Sequence, residues 1–327
     1  MSVNLHPGSE PIGGRIAVLG GLGFMGSHIC RELSARGCAV RIFDRLYASH
    51  ELIRDFERDV EVVSGDISRK RDVLSAIADA DVLIHLVHTT VPGSSMDDPE
   101  YDITSNVIAS VRWLRHLGET KIRSILYFSS GGTVYGIPQT NPISESHQTN
   151  PISSYGITKL AIEKYVAMYA SMFGIEYRLI RPSNVYGAGQ RLHIGQGVIG
   201  VTAERALRGK PLELWGTGES LRDYLHVEDM TAAAVALLGY RGPHRIFNVS
   251  SGRGCSILDI IAILHDQLGS LPEIIRKPAR SFDVPVNVLD SSRLHAETGW
   301  RPKVGLEEGI IRTIAWLKTL RGGKDSG

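Results

Sequence analysis

The 327-residue sequence lacks several features that mark whole classes of protein. It has only three cysteines, Cys30, Cys38 and Cys255, which are too few and too scattered for a disulfide framework or a zinc site. We therefore expect no bound metal. Its 36 basic and 35 acidic side chains nearly cancel, which leaves a net charge of +1 and no broad basic face for nucleic acid.

Long apolar runs are missing as well. No stretch approaches the roughly 20 apolar residues that span a bilayer. The opening segment, 1–14, is polar and has no apolar centre of the signal-peptide type. We therefore expect a cytoplasmic protein without a membrane span. Both ends, 1–14 and 321–327, are expected to be flexible because they are polar and contain glycine.

The rest of the composition is ordinary for a globular protein, with 43% hydrophobic and 22% charged residues. Short apolar runs rich in branched residues alternate with helical patterns, which is typical of a parallel sheet covered by helices on both faces. We expect the first six strands at 15–19, 39–43, 60–63, 82–87, 124–129 and 177–180. Helices are expected at 27–33, 106–117, 155–173, 204–208, 257–268 and 306–320. The predicted fold class is α/β, a doubly wound sheet of Rossmann type with a smaller carboxyl-terminal lobe.

A glycine-rich turn lies between the first strand and the first helix. Gly20, Gly23 and Gly26 allow a tight turn, close approach of the backbone to a pyrophosphate, and close packing of helix on strand. Phe24 and Met25 complete the turn. The helix that follows would direct its unpaired N–H groups and positive dipole end at the phosphates. Strand, glycine turn and helix in this order predict a dinucleotide-binding site.

Acidic residues at two later strand ends refine this prediction. Asp44 ends the second strand, where a carboxylate accepts hydrogen bonds from both hydroxyls of an adenosine ribose and repels a 2′-phosphate. NAD is therefore favoured over NADP. Arg45 follows directly and could meet such a phosphate, so NADP stays open. Asp66 and Ile67 follow the third strand, where Asp66 could meet the adenine amino group.

Tyr155 and Lys159 stand four residues apart in the predicted helix 155–173. Four residues are about one helical turn, so both side chains project from one face. A fixed positive charge beside a phenol lowers its pKa, which is about 10 in a free tyrosine. We therefore expect Tyr155 to move protons near neutral pH. The plainer alternative is two ordinary helix-surface residues.

Together these motifs make the sequence resemble the extended short-chain dehydrogenase/reductase family. Within it, the sequence is most similar to the nucleotide-sugar epimerases and dehydratases, and closest to UDP-hexose 4-epimerases. The resemblance covers about residues 15–320. The motifs that carry it are Gly20–Gly26, Gly65-Asp66-Ile67, Phe128-Ser129-Ser130-Gly131-Gly132-Thr133-Val134-Tyr135-Gly136, Tyr155 with Lys159, 181–187 and 221–229.

The resemblance implies a tightly held NAD that takes a hydride from a sugar carbon and returns it. Tyr155 would remove the hydroxyl proton, while Lys159 would bind the nicotinamide ribose and lower the pKa of the tyrosine. Val87 would line the pocket of that ribose. Resembling enzymes usually carry alanines at positions 87 and 88, so Val87-His88 is a departure, and we interpret His88 as a polar filler rather than a catalyst.

The resemblance also implies a serine or threonine hydroxyl that bridges the sugar oxygen and Tyr155. The position that carries it in many resembling enzymes is Gly131 here. Ser130, Ser129, Thr133 or a water must then supply the hydroxyl. We predict Ser130, for which the alternative is a serine that only caps the backbone at a strand end.

The same segment narrows the reaction. Dehydratases of this type place Asp-Glu before the Val-Tyr-Gly motif as acid and base, but this sequence has Gly132 and Thr133, which cannot do that chemistry. Decarboxylating enzymes have a glutamate at the position of Thr133. What remains is oxidation at C4, rotation of the keto sugar and reduction on its other face, which needs one acid–base group and a bound NAD.

Several polar residues match positions that resembling enzymes use for the substrate. Arg222 would grip the diphosphate, unless it only pairs with Asp223 or Glu219 on the surface. The resemblance likewise implies that Arg280 and Asp283 contact phosphate and nucleoside ribose, and that Asn184 bonds the substrate near the diphosphate. Their plainer roles are an ordinary charged loop and a backbone cap.

Asn287 bears on the choice of sugar. In resembling 4-epimerases this position lies beside the C2 substituent, and a tyrosine there restricts the pocket to plain hexoses. Asn287 is smaller, so it leaves room for an N-acetyl group and offers that group an amide partner. The alternative is a shifted loop in which Asn287 faces solvent.

The sequence therefore predicts an NAD-dependent UDP-sugar 4-epimerase that accepts UDP-hexoses or UDP-N-acetylhexosamines and supplies polysaccharide precursors. Alternatives are a UDP-uronate 4-epimerase, a nucleotide-sugar 4-reductase, or a non-catalytic NAD(P)-sensing protein. The expected division is an NAD-binding domain at 15–180 and a substrate-binding lobe at 181–320, with a strand near 246–249 returning to the first. Helices 106–117 and 155–173 resemble those that form a homodimer interface in this family.

Overall fold

The computed structural model describes residues 14–192, 197–278 and 284–322. Within them the strands are β1 (Arg15–Leu19), β2 (Ala39–Asp44), β3 (Glu61–Ser64), β4 (Val82–His85), β5 (Ser124–Phe128), β6 (Glu176–Pro182), β7 (Asn184–Tyr186), β8 (Leu212–Trp215), β9 (Leu221–His226), β10 (Ile246–Val249), β11 (Gly254–Cys255), β12 (Ile274–Lys277) and β13 (Val286–Asn287). The α-helices are α1 (Phe24–Ala35), α2 (Lys70–Ile77), α3 (Pro92–Asp97), α4 (Pro99–Asp102), α5 (Ala109–Leu114), α6 (Ser154–Phe173), α7 (Val198–Leu207), α8 (Val227–Gly239), α9 (Ile257–Leu268), α10 (Ser292–Thr298) and α11 (Leu306–Gly322).

Seven strands form one parallel sheet in the order β3-β2-β1-β4-β5-β6-β10. The first six follow the Rossmann order, in which the chain reverses direction across the sheet between β1 and β4. β1 and β4 carry runs of branched apolar residues and are almost wholly buried, as strands covered on both faces must be. The predicted fold class is confirmed.

Helices cover both faces of this sheet. α1 and α8 pack on one face, where Ile29 and Leu33 share a core with Met230 and Ala233. α2, α5 and α6 cover the other face around the buried Trp113. Both layers leave the carboxyl ends of the strands open, which is where ligands bind in such sheets.

The predicted helix 106–117 is wrong in outline. The helical segment begins earlier, with Pro92 and Pro99 at the first positions of α3 and α4. It then widens into a π-helix over Ile103–Ile108 before α5 ends at Leu114. The local sequence pattern could not predict this irregular helix, because the segment makes contacts with another part of the chain. The side-chain oxygen of Asn106 accepts a hydrogen bond from the backbone N–H of Thr89.

The second half of the chain is divided between the main sheet and a smaller layer. β10 pairs in parallel with β6, so the predicted return of a strand near 246–249 is confirmed. In the smaller layer, β9 pairs with β7, β11 and β13, and α7, α9 and α11 share a separate core. The division at residue 180 stays a prediction.

A buried polar network links α6 to β6 and β10 of the main sheet. Arg181 and Glu163 form a two-bond ion pair at 2.9 and 2.6 Å, and Arg181 also donates to the Tyr135 hydroxyl at 3.1 Å. That hydroxyl donates to Asn248 on β10 at 2.7 Å.

None of the helices that the structure describes is both long enough and apolar enough to cross a membrane.

Candidate functional site

The glycine turn after β1 has the shape that a pyrophosphate site requires. Gly20 has φ +90°, a conformation that favours glycine. A Cβ on Gly26 would lie 2.2 Å from the Gly20 carbonyl oxygen, so α1 approaches β1 too closely for any side chain. Gly23 precedes α1 and no side chain caps its first turn, which leaves those N–H groups facing outward. The residues present therefore fit a dinucleotide phosphate.

The other predicted cofactor residues lie along the same edge of the sheet. The Asp44 carboxylate accepts hydrogen bonds from the backbone N–H of Leu22 at 3.0 Å and of Arg45 at 2.9 Å, so it is fixed beside the turn. The side chain of Arg45 is exposed. Val87 also borders the turn, because a Cβ on Gly20 would lie 3.2 Å from its side chain.

Asp66, Ile67, Phe24 and Met25 complete this group. Asp66 is exposed at the end of β3, where it accepts two hydrogen bonds from Ser68 that lower its pKa. Ile67 packs on the core beneath α2, and Phe24 and Met25 pack beneath α1. All three are half-buried, which leaves part of each side chain at the open edge.

Tyr155 and Lys159 lie on one face of α6, as the spacing predicts. Ser153 caps this helix by accepting the N–H of Gly156, so Tyr155 stands in the first turn. The Lys159 amine donates to the carbonyl of Phe128 at the end of β5, 2.8 Å away, and lies 5.8 Å from the centre of the Tyr155 ring. Helix and strand thus hold the pair beside the cofactor edge.

The expected lowering of the tyrosine pKa is wrong for the chain by itself. Burial raises the pKa of Tyr155, and the nearby carboxylate of Asp102 raises it further. Burial also lowers the pKa of Lys159 to about 7, so its amine is not a fixed positive charge at neutral pH. The spacing of the two residues predicts the effect of the Lys159 charge, but it does not include the free-energy cost of removing both groups from water.

The three candidate hydroxyls lie at the start of the loop after β5. A Cβ on Gly131 would lie 2.3 Å from Leu289 and 2.9 Å from the carbonyl oxygen of Arg181, so this position has no room for a side chain. The hydroxyls of Ser129 and Thr133 are buried and lack a hydrogen-bond partner among the described residues. Ser130 is half-buried in the same loop. Which hydroxyl serves stays a prediction, with Ser130 the one made from the sequence.

Three of the predicted substrate residues, Asn184, Arg222 and Asn287, lie on β7, β9 and β13, and β9 pairs with the other two strands. Arg222 is the register partner of Asn287 on β13, and the Asn184 amide donates to the carbonyl of Asp223 at 2.9 Å. Asn287 is only 2% exposed, so the alternative in which it faces solvent is wrong. Both polar atoms of its amide lack a partner among the described residues. A buried amide without partners is costly, which favours a ligand at this position.

Two further predicted substrate residues, Arg280 and Asp283, lie outside the described residues. The Asp223 carboxylate accepts hydrogen bonds from Ser251 and Gly252 and thereby ties β9 to the loop after β10.

Two side chains beside Tyr155, those of His88 and Asp102, were not predicted as site residues. His88, interpreted as a filler, packs its ring against that of Tyr155, and the buried carboxylate of Asp102 bonds Ser154 at the start of α6. Only the departure from alanine at position 88 could have indicated a role for His88. Nothing in the sequence indicates a role for Asp102.

A sequence model described as the NAD dependent epimerase/dehydratase family matches residues 16–250. The chain belongs to this family. It is 33% identical to a UDP-glucose 4-epimerase of Mycolicibacterium smegmatis over 309 residues, which cover 93% of this chain and 98% of that protein. It is 31% identical to a dTDP-4-dehydro-6-deoxyglucose reductase of Escherichia coli, with 93% and 97% covered.

A solved structure agrees with these relatives. The UDP-glucose 4-epimerase of Thermus thermophilus in complex with NAD superimposes with a TM-score of 0.86 at 31% identity, covering 93% of this chain and 99% of that one. The predicted resemblance, the enzyme class and NAD as cofactor are confirmed. The reaction is thereby confirmed as that of an NAD-dependent nucleotide-sugar epimerase, while the particular sugar belongs to the proposal below.

Proposed function

We propose that this chain interconverts UDP-hexoses at C4 and accepts the N-acetylated sugars as well. The observation that carries the proposal is the position of Tyr155, with Lys159 behind it, next to a loop whose acid–base positions are Gly132 and Thr133. One proton-transferring group suffices for epimerisation, whereas elimination of water needs an acid and a base. The relatives named above support the nucleotide sugar as the substrate class.

The residues of the chain would divide the work as follows. NAD, when bound, supplies the hydride acceptor and returns the same hydride. Gly20, Gly23 and Gly26 would hold its pyrophosphate, and Asp44 its adenosine ribose. Tyr155 would accept the proton of the sugar hydroxyl and give it back. Lys159 would hold the ribose next to the nicotinamide and, in its protonated form, place a positive charge close to the phenol.

Arg222 and Asn287 would hold the substrate from the other lobe. They are neighbours across β9 and β13, so the diphosphate and the sugar would lie along one strand pair. The buried Asn287 amide, which has no hydrogen-bond partner among the described residues, would pair with an acetamido group at C2. We further propose that Asn184, Arg280 and Asp283 contact the diphosphate and the nucleoside.

The Escherichia coli relative favours a second candidate, a 4-reductase on the same scaffold. Such an enzyme would need the same tyrosine but would consume one reduced cofactor per turnover. The alternative of a uronate 4-epimerase is tested by the UDP-glucuronate assay below. A non-catalytic NAD sensor receives no comparable support, since a sensor has no need of Tyr155 and Lys159.

The test is product analysis with UDP-glucose, UDP-N-acetylglucosamine, UDP-glucuronate and a dTDP-4-keto-6-deoxyhexose, each with and without added NADH. An epimerase converts the first two to their C4 epimers without net NADH consumption. Tyr155→Phe should keep the fold and lose about 10²–10⁴-fold in turnover. Conversion of the keto sugar alone, at the expense of NADH, would establish the reductase instead.

We also propose a homodimer, formed through α6 and the helical segment 99–114. Ile157 and Met172 on α6 are 53% and 65% exposed, and Tyr101 and Ile108 on the adjoining segment are exposed too. Apolar side chains exposed together along neighbouring helices favour a protein partner. The cytoplasmic location and the role in polysaccharide precursor supply stay predictions from the sequence.

A further inference from the structure

His88 meets the ring of Tyr155 from the loop after β4. The two ring centres are 4.6 Å apart and the planes are inclined by 74°, an edge-to-face contact of the kind that aromatic rings prefer. The imidazole side chain is only 5% exposed. One side of the Tyr155 ring therefore rests against His88.

Asp102 lies beside His88. Its Oδ1 lies 3.5 Å from the imidazole Nε2, and the residue is fully buried. The same carboxylate accepts hydrogen bonds from Ser154 at 2.7 Å and Thr158 at 3.1 Å, both in the first turns of α6. Thr90 and Asn106 also donate to it. Asp102 thus joins the loop that carries His88 to the helix that carries Tyr155.

The surroundings keep the imidazole uncharged at neutral pH. Burial and, to a lesser degree, the neighbouring Lys159 lower the pKa of His88 to about 4 against the opposing effect of Asp102. His85, the other histidine of this cluster, is uncharged as well because burial lowers its pKa to about 3. In this state one ring nitrogen of His88 carries a proton, and neither nitrogen has a hydrogen-bond partner among the described residues. A buried, neutral imidazole that packs on a phenol is suited to orient it, not to exchange protons with it.

His85 shows what a plain core histidine looks like in the same place. It is only 1% exposed, and it packs on Trp113 and Tyr127 at 5.3 Å each. No ring contact joins it to Tyr155 among the described residues. The position of His88 is therefore not a general consequence of burying a histidine at this strand end.

We propose that His88 is a positioning residue for Tyr155, and that its ring, packed against the phenol beside the Asp102 carboxylate, fixes the direction in which the phenol presents its hydroxyl to the sugar. The kinetic part of this inference rests on the proposed epimerase function. Misplacement of a reacting group by about 1 Å can cost 10²-fold in rate. Loss of His88 should therefore lower kcat and leave KM nearly unchanged, because the phenol acts in the transition state.

Two variants separate the ring from its nitrogen. His88→Phe keeps an aromatic wall without Nε2, and His88→Gln keeps a donor for Asp102 without the ring. With UDP-glucose as the probe, we expect His88→Gln to lose about 10–100-fold in kcat with KM within about twofold. His88→Phe should retain clearly more turnover than His88→Gln. His85→Phe is the matched control for disturbing a buried imidazole here. Equal losses in His88→Gln and His85→Phe, or no loss in His88→Gln, would overturn the proposal.

A second measurement does not depend on turnover. In protein labelled with ¹⁵N-histidine, the His88 resonances are assigned from their absence in His88→Gln. We expect the ring protons of His88 to shift in Tyr155→Leu, which removes a ring current, and Nε2 to shift in Asp102→Asn. An inactive wild type with both shifts present would reject the epimerase and keep the positioning contact. If the His88 resonances shift in neither Tyr155→Leu nor Asp102→Asn, the inference is rejected, whatever the activity of the enzyme.

Discussion

Lys159 shows how far burial alone can move one side chain. Its amine has a carbonyl partner in Phe128 and a carboxylate four residues along, Glu163, which raises its pKa. Removal from water outweighs both, and the pKa falls from 10.5 to about 7. The side chain is therefore half-protonated near neutral pH in the chain by itself. A nearby charge can tip it in either direction, which suits a residue that must hold a ribose and influence a phenol.

This pKa predicts a specific dependence of stability on pH. Between about pH 7 and 10.5 the unfolded chain holds a proton at Lys159 that the folded chain has released, so unfolding takes up a proton and stability rises with pH. Below pH 7 the full cost of burying the ammonium is present. With NAD removed, the Tm of the wild type should rise relative to that of Lys159→Met between pH 7 and 10. A difference that stays constant over this range would contradict the lowered pKa.

Asn287 carries the choice of sugar at the residue scale. We expect the wild type to accept UDP-N-acetylglucosamine, and Asn287→Tyr to cut that activity far more than activity on UDP-glucose, because an aromatic ring fills the volume of the acetamido group. One such contact is worth ~1–3 kcal/mol, so the ratio of kcat/KM for the two sugars should shift about 10–200-fold. Asn287→Ser, which is smaller than the native residue, is the control. An unchanged ratio in the tyrosine variant would show that Asn287 does not line the sugar pocket.

At the scale of elements, the junction of β1 and α1 depends on one missing side chain. α1 begins so close to β1 that a Cβ on Gly26 would meet the backbone of Gly20 and Gly21, which cannot move aside as a flexible side chain would. This closeness leaves the N–H groups of the first turn free for an anion. The element and the site therefore share one geometric requirement.

We expect Gly26→Ala to weaken NAD binding at least tenfold, since α1 must shift away from the turn before the methyl group fits. Calorimetric titration with NAD is the measurement. Gly93→Ala is the matched control, because Gly93 also lies in the first turns of a helix and its Cβ would meet nothing within 4 Å. Gly93→Ala should bind NAD like the wild type. Equal binding by both variants would mean that the turn is not the pyrophosphate site.

For the whole molecule, the proposed dimer makes the clearest test. Met168 and Met172 lie about one turn apart on α6 and are both exposed. Changing both to glutamate would place charges in the interface, where an unpaired charge is costly. We expect a homodimer for the wild type and a monomer for the double variant in sedimentation velocity at micromolar concentration. Ile311→Glu on α11, which replaces a similarly exposed residue elsewhere, should leave the dimer intact. A monomeric wild type would reject the dimer and leave the catalytic proposal standing.

Features that depend on neighbours along the chain could be predicted from the amino-acid pattern. The strand, glycine turn and helix around Gly20 follow from local periodicity and from the conformational freedom of glycine. The common face of Tyr155 and Lys159 follows from helical spacing alone. These were enough to predict the sheet and its ligand edge, because a parallel α/β sheet places the ends of its strands together whatever the remaining residues are.

The environment of those side chains depends instead on contacts between residues that are far apart in the sequence. Burial reverses the expected pKa shift of Tyr155, because desolvation depends on every element that packs around the ring. The room at Gly131 is set by Leu289, which is remote in sequence. The link between Asp102 and Ser154 spans 52 residues. Contacts of this kind leave no periodic trace along the chain, since each is made by one side chain meeting one distant partner once the layers have packed.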